Sequence, residues 1–185
     1  MKSQLLFSSP EICILAGGLS QRMGRDKSRL KLGQKTMLAQ IRAAARATGL
    51  PVRIIRRDRL PRCGPLGGIY TALASTRAQA VLFLACDMPF VTTELMQSML
   101  PFQRGRPKAS FTRARGAVGF PLLLPRRSLP LVARQIKRRE LSLQALAKVL
   151  GAKIIRPPSS ALPRLLNVNT PGDLRQARRM IRQCG

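Results

Sequence analysis

Apolar and polar positions alternate along this chain in blocks that predict strands separated by helices. Val81-Leu82-Phe83-Leu84-Ala85-Cys86 is a continuous apolar run with no polar alternation. Bounded by Asp87 and Pro89, it predicts a central strand of a parallel sheet, buried on both faces. Ile12 to Leu15 is a shorter apolar stretch that runs into Ala16-Gly17-Gly18, and Val52 to Ile55 follows the same pattern. Ala109–Thr112, Phe120–Leu124 and Lys153–Arg156 read as further strands. Helical spacing fills the gaps. Met37, Ile41, Ala44, Ala45 and Thr48 recur behind Thr36 as a cap, and Gly49 and Pro51 stop the helix. Gly64-Pro65-Leu66-Gly67-Gly68 leads into a helix through Leu73. Thr92 caps the next helix, with Glu94 in its first turn and Pro101 after its end. Leu129 to Arg139 is helical, and Ser142 opens a helix with Leu143, Leu146, Ala147 and Leu150 on one face, closed by Gly151. Thr170-Pro171-Gly172-Asp173 has capping-box spacing with Pro at the first helical position, so a C-terminal helix starts there.

Strands alternating with helices predict an α/β fold, a Rossmann-like three-layer sandwich with a mostly parallel central sheet. The 185 residues fit one domain, 1–185, with enough chain to bury a substantial core, and no internal repeat interrupts it. Ligands of such sheets sit at the carboxyl ends of the strands. The glycine turn after Leu15 and the aspartate after Cys86 both fall at such ends, and that coincidence is the first functional inference.

Composition changes the picture mainly through charge. Thirty-four basic residues stand against 7 acidic ones, with no His, for a formal net charge of +27. Such a field attracts anions, whether nucleotides, free phosphates or nucleic acid. Nucleic-acid binding is disfavoured because the basic residues are spread along nearly the whole chain. One Tyr and 6 Phe also leave little for base stacking. The clusters at Arg56-Arg57, Lys137-Arg138-Arg139 and Arg175/Arg178/Arg179/Arg182 therefore read as solvated faces. The four cysteines, Cys13, Cys63, Cys86 and Cys184, show no metal-ligand spacing, and without His a zinc site is not expected. Cys13 and Cys86 read as small buried hydrophobes of a reducing compartment. Pro10 and Glu11 interrupt any signal-peptide core, and no apolar run approaches the roughly 20 residues of a membrane helix. A cytoplasmic protein without a membrane partner is expected.

With so few carboxylates, Asp26, Asp58 and Asp87 are the ones left for site chemistry. Asp87 emerges from a hydrophobic wall, where a carboxylate suits Mg²⁺ bridging substrate phosphates; it could equally turn the chain. Asp58 either starts the turn with Pro61 or accepts from a base or sugar. Gly17 and Gly18 let backbone N–H groups approach an anion, while Arg22, Arg25 and Lys27 bring positive charge to the same loop. Arg22 offers bidentate phosphate geometry that Lys27 lacks. Asn167-Val168-Asn169 puts two amides on one side of an extended segment, or simply forms a turn.

Four blocks in order carry a resemblance: LAGGLSQRMGRDK (Leu15 to Lys27), DRLPRCGPLGGIYTAL (Asp58 to Leu73), LFLACDMPFV (Leu82 to Val91) and LNVNTPGDL (Leu166 to Leu174). The chain resembles the molybdenum cofactor guanylyltransferase family of the nucleotidyltransferase superfamily. The resemblance implies the nucleotidyltransferase type of α/β fold and Mg²⁺-dependent transfer of GMP from GTP to the terminal phosphate of molybdopterin or its molybdenum-loaded form, releasing pyrophosphate. It implies that Leu15, Ala16, Gly17 and Gly18 hold the nucleotide, that Arg22 and Lys27 lie on its phosphates, and that Asp58 contacts guanosine. It makes Asp87 the Mg²⁺ ligand and puts Asn167 and Asn169 near the pterin-bearing substrate or the metal. The chain departs from the family pattern twice. Between the first helix and Asp58 it lacks the usual additional strand ending in Asn, and it has Phe120-Pro121-Leu122 where relatives often carry His-Pro-Leu. Cytidylyl transfer to the same acceptor and a non-catalytic adapter role in cofactor delivery are the alternatives.

Overall fold

The structure is a computed structural model that describes residues 9–17, 30–100 and 107–183. Its main sheet has six strands: β4 (Val52–Ile55), β1 (Glu11–Leu15), β5 (Ala80–Ala85), β7 (Ala117–Pro125), β6 (Ser110–Ala114) and β8 (Lys153–Ile155), in that spatial order. β1 lies parallel to both β4 and β5, and β6 lies parallel to β8; β7 alone runs antiparallel to its neighbours.

Period-two alternation explains the layers. Ile12, Ile14, Leu82 and Leu84 face one side, while Cys13, Val81 and Phe83 face the other, and all are fully buried. The first face is covered by α1 (Met37–Arg46) and α3 (Thr93–Met99) through Leu38, Ile41, Ala45, Met96 and Met99. The second is covered by α2 (Gly64–Ser75), α4 (Leu129–Lys137) and α5 (Leu143–Val149) through Leu66, Ile69, Leu73, Val132 and Leu146. Phe83 sits at the centre of that second layer, where truncation to Ala would cost ~3–5 kcal/mol. A smaller cluster packs α6 (Pro171–Gln183) by Ala177 against Leu32, Leu166 and Val168.

The predicted caps form. Thr36, Thr92 and Ser142 accept from the backbone N–H of Ala39, Leu95 and Ala145, three residues on. Arg53 on β4 pairs with Glu11 at 2.6 Å and also reaches the Ala72 carbonyl and the Ser75 hydroxyl. This clamp joins β1, β4 and α2 at the end of the sheet opposite the carboxyl ends.

Three local expectations are sharpened or corrected, and one unexpected element appears. The strands expected at 109–112 and 120–124 are two arms of one hairpin, turning at Arg115 and Gly116, both at positive φ. As a result β5 has an antiparallel neighbour, β7, on one side. The glycines at 67 and 68 lie inside α2, which already begins at Gly64 with Pro65 in its first turn. A two-residue hairpin, β2 (Lys31–Leu32) and β3 (Lys35–Thr36), precedes α1 and turns through Gly33 at φ 65°. Cys86 lies just past β5 and is half-buried rather than buried, whereas Cys13 is sealed in the sheet. Burial pushes the Cys13 thiol up to about 12 against a small lowering by Arg53, so it stays protonated. No helix among the described residues is long and apolar enough to cross a membrane.

Candidate active site

The chain leaves β1 for β4 through α1 on one face, then returns from β4 to β5 through α2 on the other. The order of connections therefore reverses at β1, the position where open α/β sheets bind ligands beyond their carboxyl ends. Three chain segments emerge side by side there. The Ala16 N–H donates to the Ile55 carbonyl at 2.8 Å, and the Cys86 N–H donates to the Leu15 carbonyl at 3.1 Å. These bonds continue the ladder past the strands and hold Ala16-Gly17, Arg56 to Asp58, and Cys86-Asp87 in register. With strands ~4.8 Å apart, the ends of β4 and β5 are separated by about 10 Å across β1.

Asp58 is the most unusual group on this edge. A Cβ on Gly67 would lie 2.8 Å from Asp58 Oδ2 and 2.8 Å from the Leu60 carbonyl oxygen. A Cβ on Gly17 would lie 2.8 Å from the Arg56 carbonyl oxygen, with Asp58 Oδ1 at 3.6 Å. Gly68 meets the same carboxylate at 3.4 Å and the Leu15 side chain at 3.0 Å. The turn that carries Asp58 is pinned to α2 by the Arg59 N–H donating to the Thr71 hydroxyl, which itself donates to the Gly67 carbonyl. The carboxylate thus rests on glycine backbone, and among the described residues no hydrogen bond or ion pair reaches it. Burial raises its pKa above the usual carboxylate value. A half-buried carboxylate with no partner among the described residues, at a switch point of a chain so rich in arginine, is a candidate functional group.

Asp87 stands on the other side of β1. Its carbonyl accepts from the Val168 N–H at 2.8 Å, and Val168 is fully buried. This bond fastens the Asn167-Val168-Asn169 segment beside the Asp87 turn across 81 positions of sequence, as counted from Asp87 to Val168. Asn167 is exposed and Asn169 half-buried. The segment passes directly into α6, where the Asp173 carboxylate accepts from the N–H groups of Asn169 (3.0 Å) and Thr170 (2.8 Å), and the Thr170 hydroxyl accepts from the Asp173 N–H. This is the predicted capping box. Burial works against the Asp173 charge. The bonds from Asn169 and Thr170, with Arg115 nearby, outweigh it and hold the pKa below the ordinary value.

The structure therefore brings together Leu15, Ala16, Gly17 and Asp58 on one flank, and Asp87, Asn167 and Asn169 on the other. Leu15 and Ala16 spend backbone groups on the sheet, which leaves Gly17 as the first residue past it. Gly18, Arg22 and Lys27 lie outside the described residues. Sequence reasoning missed that Gly67 and Gly68 pack against the Asp58 carboxylate. Two adjacent glycines inside a helix sacrifice about 2 kcal/mol of helix propensity, and that cost was the available signal of a close approach.

The donor set fits a hard divalent cation and not zinc. Asp87 and the amide oxygens of Asn167 and Asn169 are oxygen donors, and the described residues contain no group of three His, Cys, Asp or Glu that could cage a metal alone. One carboxylate with substrate phosphates and water is the arrangement Mg²⁺ favours.

Comparisons with known proteins show the family and the fold. The family model described as a MobA-like NTP transferase domain matches residues 12–55 and 42–154. The probable molybdenum cofactor guanylyltransferase of Opitutus terrae is 31% identical over 188 residues, covering 90% of this chain and 93% of that protein. Among solved structures, molybdopterin-guanine dinucleotide biosynthesis protein A from Archaeoglobus fulgidus superposes with a TM-score of 0.74 at 18% identity, over 94% of this chain and 99% of the other. The 2-C-methyl-D-erythritol 4-phosphate cytidylyltransferase of Thermus thermophilus gives 0.68 at 18% identity, over 95% and 99%. At that identity the two structures speak for the fold alone.

Proposed function

Because this chain belongs to the MobA-like NTP transferase family, and is thereby a nucleotidyltransferase, we propose that it transfers GMP from GTP to the terminal phosphate of molybdopterin or its molybdenum-loaded form. An oxygen of the acceptor phosphate forms the new bond to the α-phosphorus of GTP. The bond from that phosphorus to the β-phosphate oxygen breaks, and pyrophosphate leaves with its electron pair.

Such a transfer needs positioning and charge neutralisation more than a side-chain nucleophile, so a chain without His can perform it. Asp58 accepts from nucleoside donors; burial without a bonding partner among the described residues raises its pKa and leaves its oxygens open to such a donor. Gly17 and Gly67 keep the path to that carboxylate clear. Gly18, Arg22 and Lys27 take the triphosphate. Asp87, with Asn167 and Asn169 beside it, would hold Mg²⁺, which when bound neutralises phosphate charge. The two amides orient the acceptor on the flank away from Asp58.

The observation that supports this reading is the bond from the Val168 N–H to the Asp87 carbonyl, because it sets Asn167 and Asn169 beside Asp87, on the flank away from Asp58. The test is pyrophosphate release from GTP, with Mg²⁺ and molybdopterin, compared with CTP and ATP. Release with GTP and little with the others is expected. Preference for CTP would replace the guanylyl assignment by cytidylyl transfer, and no release with any nucleotide would overturn the enzyme reading.

A further inference from the structure

The charged residues of α6 do something that their spread along the sequence conceals. Arg175, Arg178, Arg179 and Arg182 fall at i, i+3, i+4 and i+7, so they share one face of a helix. Leu174, Ala177, Met180 and Ile181 take the opposite face and pack against the Leu32 and Val168 cluster. That packing fixes which way the arginines point, and all four are exposed. Among the described residues, these four border a notch of about 300 Å³. The single acidic residue of the helix, Asp173, is spent on the capping box. Four like-charge neighbours at i, i+3 and i, i+4 weaken an isolated helix, so the row costs stability unless an anion meets it.

We infer that this face of α6 docks on the phosphodiester backbone of a nucleic-acid duplex, without reading its sequence. The inference is independent of the nucleotidyl-transfer reading. A protein partner would need an apolar centre to its interface, and this face has none. It has no aromatic residue either, so bases are not stacked upon it. Planar guanidiniums with nothing else between them match evenly spaced phosphates, and a duplex offers the highest density of those. The scarcity of aromatic residues in the chain argues against single-strand recognition and leaves backbone docking untouched.

The experiment is fluorescence anisotropy of a labelled duplex of about 20 base pairs and arbitrary sequence, titrated with the full chain over a salt series. Four contacts contribute about 3.6 to the slope of log K against log salt. R175Q/R178Q/R179Q/R182Q should lose that much slope. Between ~50 and ~200 mM salt, wild-type affinity should fall on the order of 100-fold more than that of the variant. The pair R178Q/R182Q should show about half the slope change, and it guards against misfolding of the quadruple variant. R42Q/R46Q/R134Q/R138Q removes the same charge from exposed positions elsewhere and should leave the slope within about 1 of wild type. Equal losses in the two quadruple variants would overturn the inference. So would competition by polyglutamate as effective, charge for charge, as competition by the duplex, because that would make the face a site for acidic protein.

Discussion

Asp58 and Asp173 are two half-buried carboxylates in a chain that has only 7 acidic residues, and their surroundings are opposite. Asp173 accepts from two backbone N–H groups and is held below the ordinary aspartate pKa. Asp58 lies against Gly17, Gly67 and Gly68, has no such donors among the described residues, and is raised by burial. The first carboxylate is satisfied by the fold and does structural duty at the start of α6. The second is left without a donor among the described residues, and in the proposed function the nucleotide supplies one. Satisfaction, rather than burial or charge, separates the residue that builds from the residue proposed to bind.

The largest expected effect extends this contrast to Asp87. Asp87→Ala should reduce pyrophosphate release by about 10³-fold, while the melting temperature stays within ~2 °C of wild type. Retained turnover would remove Asp87 from the site. Next, Gly67→Ala breaks the Asp58 nest directly, since the new methyl would overlap both the carboxylate and the Leu60 carbonyl. It should raise the KM for nucleotide about tenfold or more and cost ~1–3 kcal/mol of stability, read by denaturant titration. An unchanged KM would mean that the nest serves packing only.

Smaller effects come from the two carboxylates themselves. Asp173→Ala should cost about 1 kcal/mol through loss of the cap, or ~2–4 °C in melting temperature for a chain of this size. Because the folded pKa of Asp173 is depressed, its contribution is present above the unfolded value of about 3.9 and is lost as pH falls through the folded pKa. Wild type and variant should therefore converge in acid. Asp58 has the opposite sign. Between its unfolded and raised folded pKa the native state holds the extra proton, so stability falls as pH rises through that window. Asp58→Asn should raise the melting temperature slightly at neutral pH, with the gain vanishing below pH ~4. A loss at neutral pH would show that the carboxylate has a partner in the fold.

Much of this edge was legible before any coordinates. The continuous apolar run bounded by Asp87 reads as a strand covered on both faces, and β5 is that strand. Thr36, Thr92, Ser142 and Thr170 announced their helices through cap chemistry that is local and so readable. Asp58 and Asp87 stood out because so few carboxylates compete with them. What was not legible depends on pairing across long separations. Nothing local to β7 says that it inserts antiparallel between β5 and β6. Nothing local to Val168 says that it bonds to Asp87. Gly67 and Gly68 looked like a loop before a helix, because their purpose lies in Asp58, which the turn folds back onto them.

The contrast between the two carboxylates is tested most directly by equilibrium binding of GTP in the presence of Mg²⁺, measured by calorimetry on wild type, Asp58→Asn and Asp173→Ala. Asp58→Asn should weaken the Kd by about tenfold or more, the scale of a lost charged hydrogen bond, while Asp173→Ala binds as wild type does. Equal affinity in Asp58→Asn and wild type, or a loss confined to Asp173→Ala, would contradict the assignment of Asp58 to the nucleotide and Asp173 to the fold.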